Sequence, residues 1–252
     1  LWKLAKTNVH LVALLRTLDI TEFVHIDHKC ALFRAEGYDS YEGKDCYLKY
    51  IVNPRNGVDD TGNIIPLFLQ EKYRNLVLRG IRVQHDLRDV NGVQFLSQDH
   101  FVNDIIGLVG MLELVEGFNL GERAKVKRNL SSLEEKLKVI EEFEEIIKQM
   151  HNRGYVHNDI KPGNLLVGFN GPIRVIDFST ASSFADYEKD RKSRLIYGTN
   201  GYFDYGSVLG TKRDRDCLAL GVTLARLLLD LKPEELLAYK TEFGIVGFEL
   251  RD

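Results

Sequence analysis

A short polar stretch carries the side chains with the clearest chemical use. Asp159, Lys161 and Asn164 lie close together between two apolar runs, and Asp177 follows 18 residues after Asp159 at the end of another apolar run. If the strands that leave this loop place Asn164 beside Asp177, an amide oxygen and a carboxylate could hold a hard cation such as Mg²⁺, whose other ligands are water and phosphate oxygens. Asp159 and Lys161 could then orient a hydroxyl group and neutralise a phosphate.

This stretch resembles the catalytic machinery of protein kinases. Residues 157–164, hereafter the catalytic loop, resemble H-R-D-x-K-P-x-N, and residues 177–179, Asp-Phe-Ser, resemble D-F-G. The lysine two positions after Asp159 resembles the Ser/Thr type of loop. The resemblance implies a Ser/Thr protein kinase of bilobal α+β fold, with an antiparallel β-sheet N-lobe and a mainly helical C-lobe. ATP, Mg²⁺ and a protein substrate are the implied ligands.

The resemblance also implies a role for each polar residue of the loop. Asp159 would accept or orient the proton of the substrate hydroxyl, and Lys161 would steady the γ-phosphate. Asn164 and Asp177 would hold Mg²⁺. Such an enzyme does little covalent chemistry itself, because positioning and charge stabilisation supply the rate.

The nucleotide contacts are implied in the strand-rich part of the chain. Lys49 lies in a β-run that resembles V-A-I-K and is expected to reach the α- and β-phosphates, with Glu71 in the next helix as its ion-pair partner. The backbone at Glu113 and Val115, in a hinge-like segment, would hold the adenine, and Leu112 would be the gatekeeper.

Two later segments resemble further landmarks of the family. Residues 216–221 resemble the D-x-W-x-x-G of the central C-lobe helix, in which the aspartate, here Asp216, braces the backbone of the catalytic loop. Gly198 and Thr199 resemble the G-T pair before the substrate-positioning segment. His157 is expected to be structural and to pack against Phe178.

The sequence departs from the family where ATP should be covered. Residues 26–33 contain no glycine, although glycines let backbone N–H groups approach phosphates closely. This departure favours a pseudokinase that acts as a protein-binding or allosteric module. Retention of all five polar positions favours an active Ser/Thr kinase: Lys49, Asp159, Lys161, Asn164 and Asp177. A small-molecule kinase is a third, weaker alternative.

Other departures concern regulation and the end of the chain. Asn158 replaces the arginine that normally receives an activation-loop phosphate, which predicts activity without such phosphorylation. Ser179 replaces the glycine of D-F-G and is expected to keep Asp177 in one orientation. Residues 202–206 show no A-P-E motif, and because 36 residues follow Asp216, the late C-lobe helices are expected to be absent.

The first half of the chain predicts mainly strands. Residues 22–52 alternate and carry β-formers, which predicts three antiparallel strands. Residues 66–79 predict a helix that ends before Gly80. Residues 93–115 predict two more strands.

The second half predicts mainly helices. A capping box, either Ser131 with Glu134 or Ser132 with Glu135, predicts the start of a long helix that ends at Gly154. Short strands are predicted within 155–167 and 173–178. A second helix is predicted from about 215 to 229 and a last short helix from Pro233.

These elements predict three regions. Residues 1–20 form an amphipathic helical extension, which either packs on the domain or binds a partner protein. Residues 21–113 form the N-lobe and residues 114–252 the C-lobe. Since the chain begins with Leu1 rather than Met, it is expected to be part of a longer protein.

Composition limits the partners and the compartment. The net charge of −3 gives no signal for nucleic acid, and no apolar run approaches the ~18 residues of a membrane span. Three cysteines without a C-x-x-C pair fit a reducing compartment. The expected location is the cytoplasm or nucleus, or a host cytosol for a secreted effector.

Overall fold

The structure, a computed structural model, describes twelve stretches of the chain. They are residues 20–26, 30–36, 45–51, 71–94, 101–103, 107–169, 171–192, 198–199, 202, 213–230, 236–241 and 244–250. Residues 1–19 of the predicted N-terminal helix and residues 27–29 of the expected ATP cover lie outside the described residues, whereas Ile20, the predicted last residue of that helix, begins a strand.

The chain divides into two compact units that are interleaved in sequence. One unit takes residues 1–78 and 95–115, and the other takes residues 79–94 and 116–252. Strands dominate the first unit and helices the second, which confirms the predicted α+β class. The predicted lobe boundary after residue 113 stays a prediction.

A five-stranded antiparallel sheet forms the described part of the first unit, in the order β1-β2-β3-β5-β4. The strands are β1 (Ile20–Ile26), β2 (Cys30–Ala35), β3 (Cys46–Ile51), β4 (Phe101–Asn103) and β5 (Gly107–Glu113). Phe33, Ala35, Cys46 and Leu48 are buried, whereas the side chains between them are half-buried. This period of two explains why alternating residues predicted the strands correctly.

Helix α1 (Glu71–Asp86) is longer than predicted. The start predicted at residue 66 lies outside the described residues, but the predicted end before Gly80 is wrong. Gly80 is buried inside the helix, and a Cβ at this position would lie 2.2 Å from the carbonyl oxygen of Phe178. The glycine therefore allows a close helix–backbone contact and does not act as a stop signal.

The second unit begins with short elements that lead into a long helix. They are β6 (Gly117–Asn119), α2 (Arg123–Asn129) and α3 (Leu133–Asn152). Ser132 and Glu135 form the predicted capping box, in which each side chain accepts from the other residue's backbone N–H at 3.1 and 2.9 Å. Gly154 follows the helix with φ +84°, as expected for a residue that ends a helix.

Four short strands and two further helices complete the framework of the loop. The elements are β7 (Tyr155–Val156), β8 (Leu165–Gly168), β9 (Arg174–Val175), β10 (Ser182–Ser183), α4 (Phe184–Lys192) and α5 (Asp214–Leu229). Strands β6, β8 and β9 form one sheet, and β7 pairs with β10. The start of α5 is one residue earlier than predicted. One apolar core contains side chains of α3 and α5 together with Ile160 of the catalytic loop and Leu165 directly after it.

The end of the described chain is a hairpin. Strands β11 (Leu236–Thr241) and β12 (Gly244–Leu250) pair antiparallel. A helix that starts at Pro233 therefore does not continue beyond residue 235, and residues 231–235 lie outside the described part. Aromatic and β-branched residues in 236–250 favour strands over the helix that the proline suggested. In the described stretches, no helix is both long and apolar enough to cross a membrane.

Candidate active site

The backbone of the catalytic loop is held from below by a buried carboxylate. Asp216, near the start of α5, is fully buried and accepts the N–H groups of His157 and Asn158 at 2.8 and 2.9 Å. His151, near the end of α3, places Nε2 2.9 Å from the same carboxylate. This geometry agrees with the bracing role that the resemblance implied for Asp216.

Electrostatics keep this buried carboxylate ionised. Burial alone would raise the pKa of Asp216, but the hydrogen bond and electrostatic attraction of His151, together with the electrostatic influence and backbone N–H of His157, lower its pKa overall. A buried charge is tolerated here because both oxygens are hydrogen-bonded. Asp216 therefore fixes two successive peptide groups of the loop.

His157 links the loop to the segment that carries Asp177. Its Nε2 donates to the carbonyl oxygen of Ile176 at 3.1 Å, so its Nδ1 is the acceptor for the N–H of Asp159 at 3.3 Å. The ring also contacts Phe178 edge-on, with centroids 4.9 Å apart. His157 is fully buried, and it orients the backbone on either side of the site.

Three donors surround the carboxylate of Asp159. Lys161 Nζ lies 2.7 Å from Oδ2, and Thr199 Oγ1 donates to Oδ1 at 2.7 Å. Lys161 also donates to Thr199 Oγ1 at 2.9 Å, which closes a triangle of polar contacts. Asn164 Nδ2 donates to the carbonyl oxygen of Asp159 at 2.8 Å and lies 3.3 Å from Oδ2. The structure thus brings together three of the residues that the sequence singled out and orients the Asp159 carboxylate.

The backbone joins Asn164 to the segment before Asp177. The N–H of Ile176 donates to the carbonyl oxygen of Asn164 at 3.0 Å, and Asp177 is the next residue. Asp177 has left-handed backbone angles, φ 62° and ψ 70°, which are unusual for a residue with a side chain and are concentrated at functional sites. Asn164 is buried, and Asp177 is half-buried.

This pair fits the requirements of Mg²⁺ with a nucleotide. Because Nδ2 of Asn164 faces Asp159, its amide oxygen is the atom left for a ligand, and it accepts no hydrogen bond from the described residues. Within the described part of the chain, no three His, Cys, Asp or Glu side chains form a metal cluster. An amide oxygen and a carboxylate are the oxygen donors that suit Mg²⁺ when phosphates and waters supply the other ligands.

The residues predicted to contact the nucleotide belong to the first unit. Lys49 is half-buried in β3 and pairs with Leu32 and Gly110 on the neighbouring strands. Glu71 is the first residue of α1, and its side chain lies outside what the structure describes. Glu113 ends β5, and Val115 follows it; both are half-buried. Their roles with ATP stay predictions.

Asn158 has a role that the sequence did not reveal. It has a left-handed φ of 68° and is buried, and its Nδ2 donates to the carbonyl oxygen of Thr180 at 3.0 Å and to Ser182 Oγ at 2.9 Å. Asparagine is among the few residues that adopt this conformation readily. In return, Thr180 Oγ1 donates to the carbonyl oxygen of His157 at 3.1 Å. The residue that stands in place of an arginine therefore ties the loop to the chain after Phe178.

Two other contacts lacked a usable sequence signal. His151 is 65 residues from Asp216, and no spacing rule joins them. Thr199 could be recognised as part of a Gly-Thr pair, but its contact with Asp159 spans 40 residues. Both depend on tertiary packing, which no local pattern encodes.

Comparison with known proteins agrees with this geometry. The rat interferon-induced, double-stranded RNA-activated protein kinase is 36% identical over 109 residues, 40% of this chain and 20% of the relative. The cell cycle serine/threonine-protein kinase CDC5/MSD2 of Saccharomyces cerevisiae is 30% identical over 186 residues, 69% of this chain and 26% of the relative. Aurora kinase B of Xenopus tropicalis is 25% identical over 187 residues, 72% of this chain and 49% of the relative. The chain thus spans from about a fifth to about half of the length of these relatives.

A family model decides the classification. The model described as "Protein kinase domain" matches residues 70–242, well over half of the chain. This range contains the catalytic loop, Asp177 and Asp216, which are the residues that the structure places together. The chain therefore belongs to the protein kinase domain family.

Proposed function

We propose that this chain is an active protein kinase that transfers the γ-phosphate of ATP to Ser or Thr hydroxyls of a protein substrate. The single observation that carries this proposal is the set of donors around Asp159. Lys161 and Thr199 hold one oxygen each at 2.7 Å, so the carboxylate has one orientation beside the loop. A fixed carboxylate is what a hydroxyl acceptor needs in order to be oriented and to lose its proton.

The remaining roles follow from position. Asp159 orients the substrate hydroxyl and accepts its proton, and Lys161 places positive charge beside the transferred phosphoryl group. Asn164 and Asp177 would hold Mg²⁺ through oxygen atoms. When bound, ATP with Mg²⁺ supplies the phosphoryl group and reduces its negative charge. Lys49, Glu71, Glu113 and Val115 would position the nucleotide, as the resemblance implies.

The Ser/Thr specificity is supported by Lys161. The lysine lies 2.9 Å from Thr199 and 2.7 Å from Asp159, so it acts as a link between the loop and the Gly-Thr segment. All three relatives described above are named as kinases, and the name of one, CDC5/MSD2, states Ser/Thr specificity. At 25–30% identity this specificity is a proposal for the present chain.

Activity without activation-loop phosphorylation is supported by Asn158. Its amide satisfies the carbonyl oxygen of Thr180 and the hydroxyl of Ser182 directly. A neutral amide offers no ion pair to a phosphate, so the loop is ordered by contacts that are already present. We expect the unphosphorylated chain to be active.

The state of the cysteines supports the expected cellular location. Cys46 and Cys217, those whose side chains are described, are free thiols. Free thiols are usual in reducing compartments, which supports a location in the cytoplasm or nucleus.

A pseudokinase is the second candidate, and one observation favours it. Residues 26–33 contain no glycine, so the segment that should cover the phosphates lacks the usual backbone freedom. Such a protein would keep the fold and bind partners without transferring phosphate.

Transfer of labelled phosphate from ATP tests the proposal. We expect the parent chain with Mg²⁺ to label itself or a generic protein substrate, and Asp177→Ala to abolish the signal. The exposed carboxylate of Glu141 on α3 offers a matched control, since Glu141→Ala should leave transfer unchanged. No transfer by the parent, together with no thermal shift on adding ATP and Mg²⁺, would show that the chain is a pseudokinase.

A further inference from the structure

A cavity lies beside the catalytic loop within the second unit. Its volume is about 390 Å³, and its lining includes Lys161, Pro162 and Gly163 of the loop together with Thr199. Lys161 and Thr199 are the two side chains that each contact an oxygen of Asp159. The cavity therefore lies next to the carboxylate that would receive the substrate hydroxyl.

The lining of this cavity is strongly cationic. Five of its side chains carry positive charge and one carries negative charge: Arg123, Lys127, Lys136, Lys161 and Arg226, with Asp230. Arg123 and Lys127 are paired with Asp230. Lys161 is paired with Asp159 beside the cavity, so a smaller net excess of positive charge remains in the lining. This excess favours an anionic ligand and disfavours a cationic one.

The one carboxylate in the lining is already paired. Asp230 accepts from Arg123 at 2.8 Å and lies 2.6 Å from Lys127. Its hydrogen bonds to Lys127 and Arg123 hold the pKa of this carboxyl below its ordinary value. Asp230 is therefore ionised and engaged by two cations, so it offers little to a basic ligand.

The other lining residues make a partly apolar wall. Leu120, Val126 and Leu227 contribute apolar surface, and the guanidinium group of Arg226 lies 5.2 Å from the centre of the Tyr202 ring. An apolar wall with a few convergent charges is typical of a site for a side chain or small group. A cavity of about 390 Å³ accommodates one or two peptide side chains.

We propose that this cavity binds an acidic side chain of the protein substrate, close to the hydroxyl that receives the phosphate. The group that binds is an anion, which is either a carboxylate or a phosphate that the peptide already carries. The inference rests on the proposed kinase function, because it assigns a substrate preference to the same site. By this inference, the chain prefers substrates with acidic residues around the acceptor hydroxyl.

Lys136 gives the sharpest variant. It lines the cavity from α3, outside the residues that hold Asp159, and Lys136→Glu would replace attraction by repulsion. Lys138→Glu is the matched control, because Lys138 lies on the same helix, is exposed and is not part of the lining. Glutamate is a good helix former, so neither change should unfold α3.

The test measures kcat/KM for a set of peptides with one serine. The flanking residues are glutamate, phosphoserine, alanine or lysine. For the parent, we expect kcat/KM to be about tenfold higher for the glutamate or phosphoserine peptides than for the alanine peptide. Lys136→Glu should remove that preference. Loss of one exposed ion pair lowers affinity by up to about fivefold, and the new glutamate adds repulsion of the anionic peptide. Comparison of the glutamate and phosphoserine peptides shows which anion is preferred. The control Lys138→Glu should have the same preference as the parent.

The possible outcomes separate the inference from the proposed function. Equal transfer to all peptides, preference for lysine flanks, or an equal loss on all peptides in Lys136→Glu would overturn the acidic-substrate inference while the kinase activity stands. No transfer to any peptide, together with no self-labelling and no thermal shift on adding ATP and Mg²⁺, would overturn the proposed function. Fluorescence anisotropy of the labelled glutamate peptide then decides the inference: tight binding that Lys136→Glu weakens supports the cavity, and binding no tighter than that of the alanine peptide refutes it.

Discussion

Replacing Asp216 with asparagine tests how the catalytic loop is held. The carboxylate accepts three hydrogen bonds in a fully buried position, two on Oδ2 and one on Oδ1. In Asp216→Asn one oxygen becomes an NH₂ group, so at least one of the three donors then faces another donor. In addition, the negative charge opposite His151 is lost.

The expected loss of stability is large for a single isosteric change. An unsatisfied buried N–H costs about 1–3 kcal/mol, and loss of a charged acceptor weakens the remaining hydrogen bonds, so we expect unfolding to become easier by about 2–4 kcal/mol. Domains of this kind have a total stability of about 5–15 kcal/mol. Urea unfolding at pH 7 measures the difference, with Glu141→Gln at an exposed position of α3 as the control.

The same variant should lower transfer. Asp216 holds the N–H groups of His157 and Asn158, which directly precede Asp159. A misplacement of about 1 Å in a reacting group can reduce the rate by about 100-fold. We therefore expect kcat to fall by at least about tenfold in the folded fraction of Asp216→Asn.

The pH dependence has a definite sign. The pKa of Asp216 is lowered from 3.8 in the folded state, so this carboxyl contributes stability above that value. The contribution is lost as pH falls through the lower, folded-state pKa. The stability difference between parent and Asp216→Asn should thus be constant near neutral pH and shrink below about pH 4. Equal urea midpoints and equal kcat for the parent and the variant at pH 7 would refute the bracing role.

Three further predictions concern individual contacts. Thr199→Val removes the hydroxyl that donates to Asp159 and should lower kcat by about tenfold in a peptide assay, whereas Thr199→Ser should keep most of the activity. Gly80→Ala would place a Cβ 2.2 Å from the carbonyl oxygen of Phe178 and should destabilise the chain by about 1–3 kcal/mol in urea unfolding, although alanine normally favours helices. Lys49→Met should weaken ATP binding by at least about tenfold in calorimetry and leave urea unfolding unchanged; unaltered affinity would show that another residue contacts the phosphates.

The position of the catalytic loop could be predicted from sequence because the motif that resembles the kinase loop is local. Asp159, Lys161 and Asn164 lie on one short segment, and the structure places their polar groups in contact. The strands of the first unit could be predicted for a similar reason, since their buried and half-buried side chains alternate along the chain.

What the sequence could not predict depends on distant packing. Gly80 has the usual appearance of a helix end, yet it lies inside α1 because the backbone at Phe178 passes within contact distance. The contact between His151 and Asp216, and that between Thr199 and Asp159, join residues far apart in the chain. Pro233 predicts the start of a helix, but the β-forming residues that follow it pair as the hairpin at 236–250.

Transfer by Asp159→Asn tests the central claim most directly. Phosphate transfer from saturating ATP with Mg²⁺ to a serine peptide should be measured for the parent, for Asp159→Asn and for the control Glu141→Gln. If Asp159 orients the hydroxyl and accepts its proton, kcat of Asp159→Asn should be about 10²- to 10⁴-fold lower than that of the parent, with ATP affinity nearly unchanged and the chain still folded. A kcat for Asp159→Asn within about twofold of the parent would contradict the assignment of this carboxylate as the catalytic group.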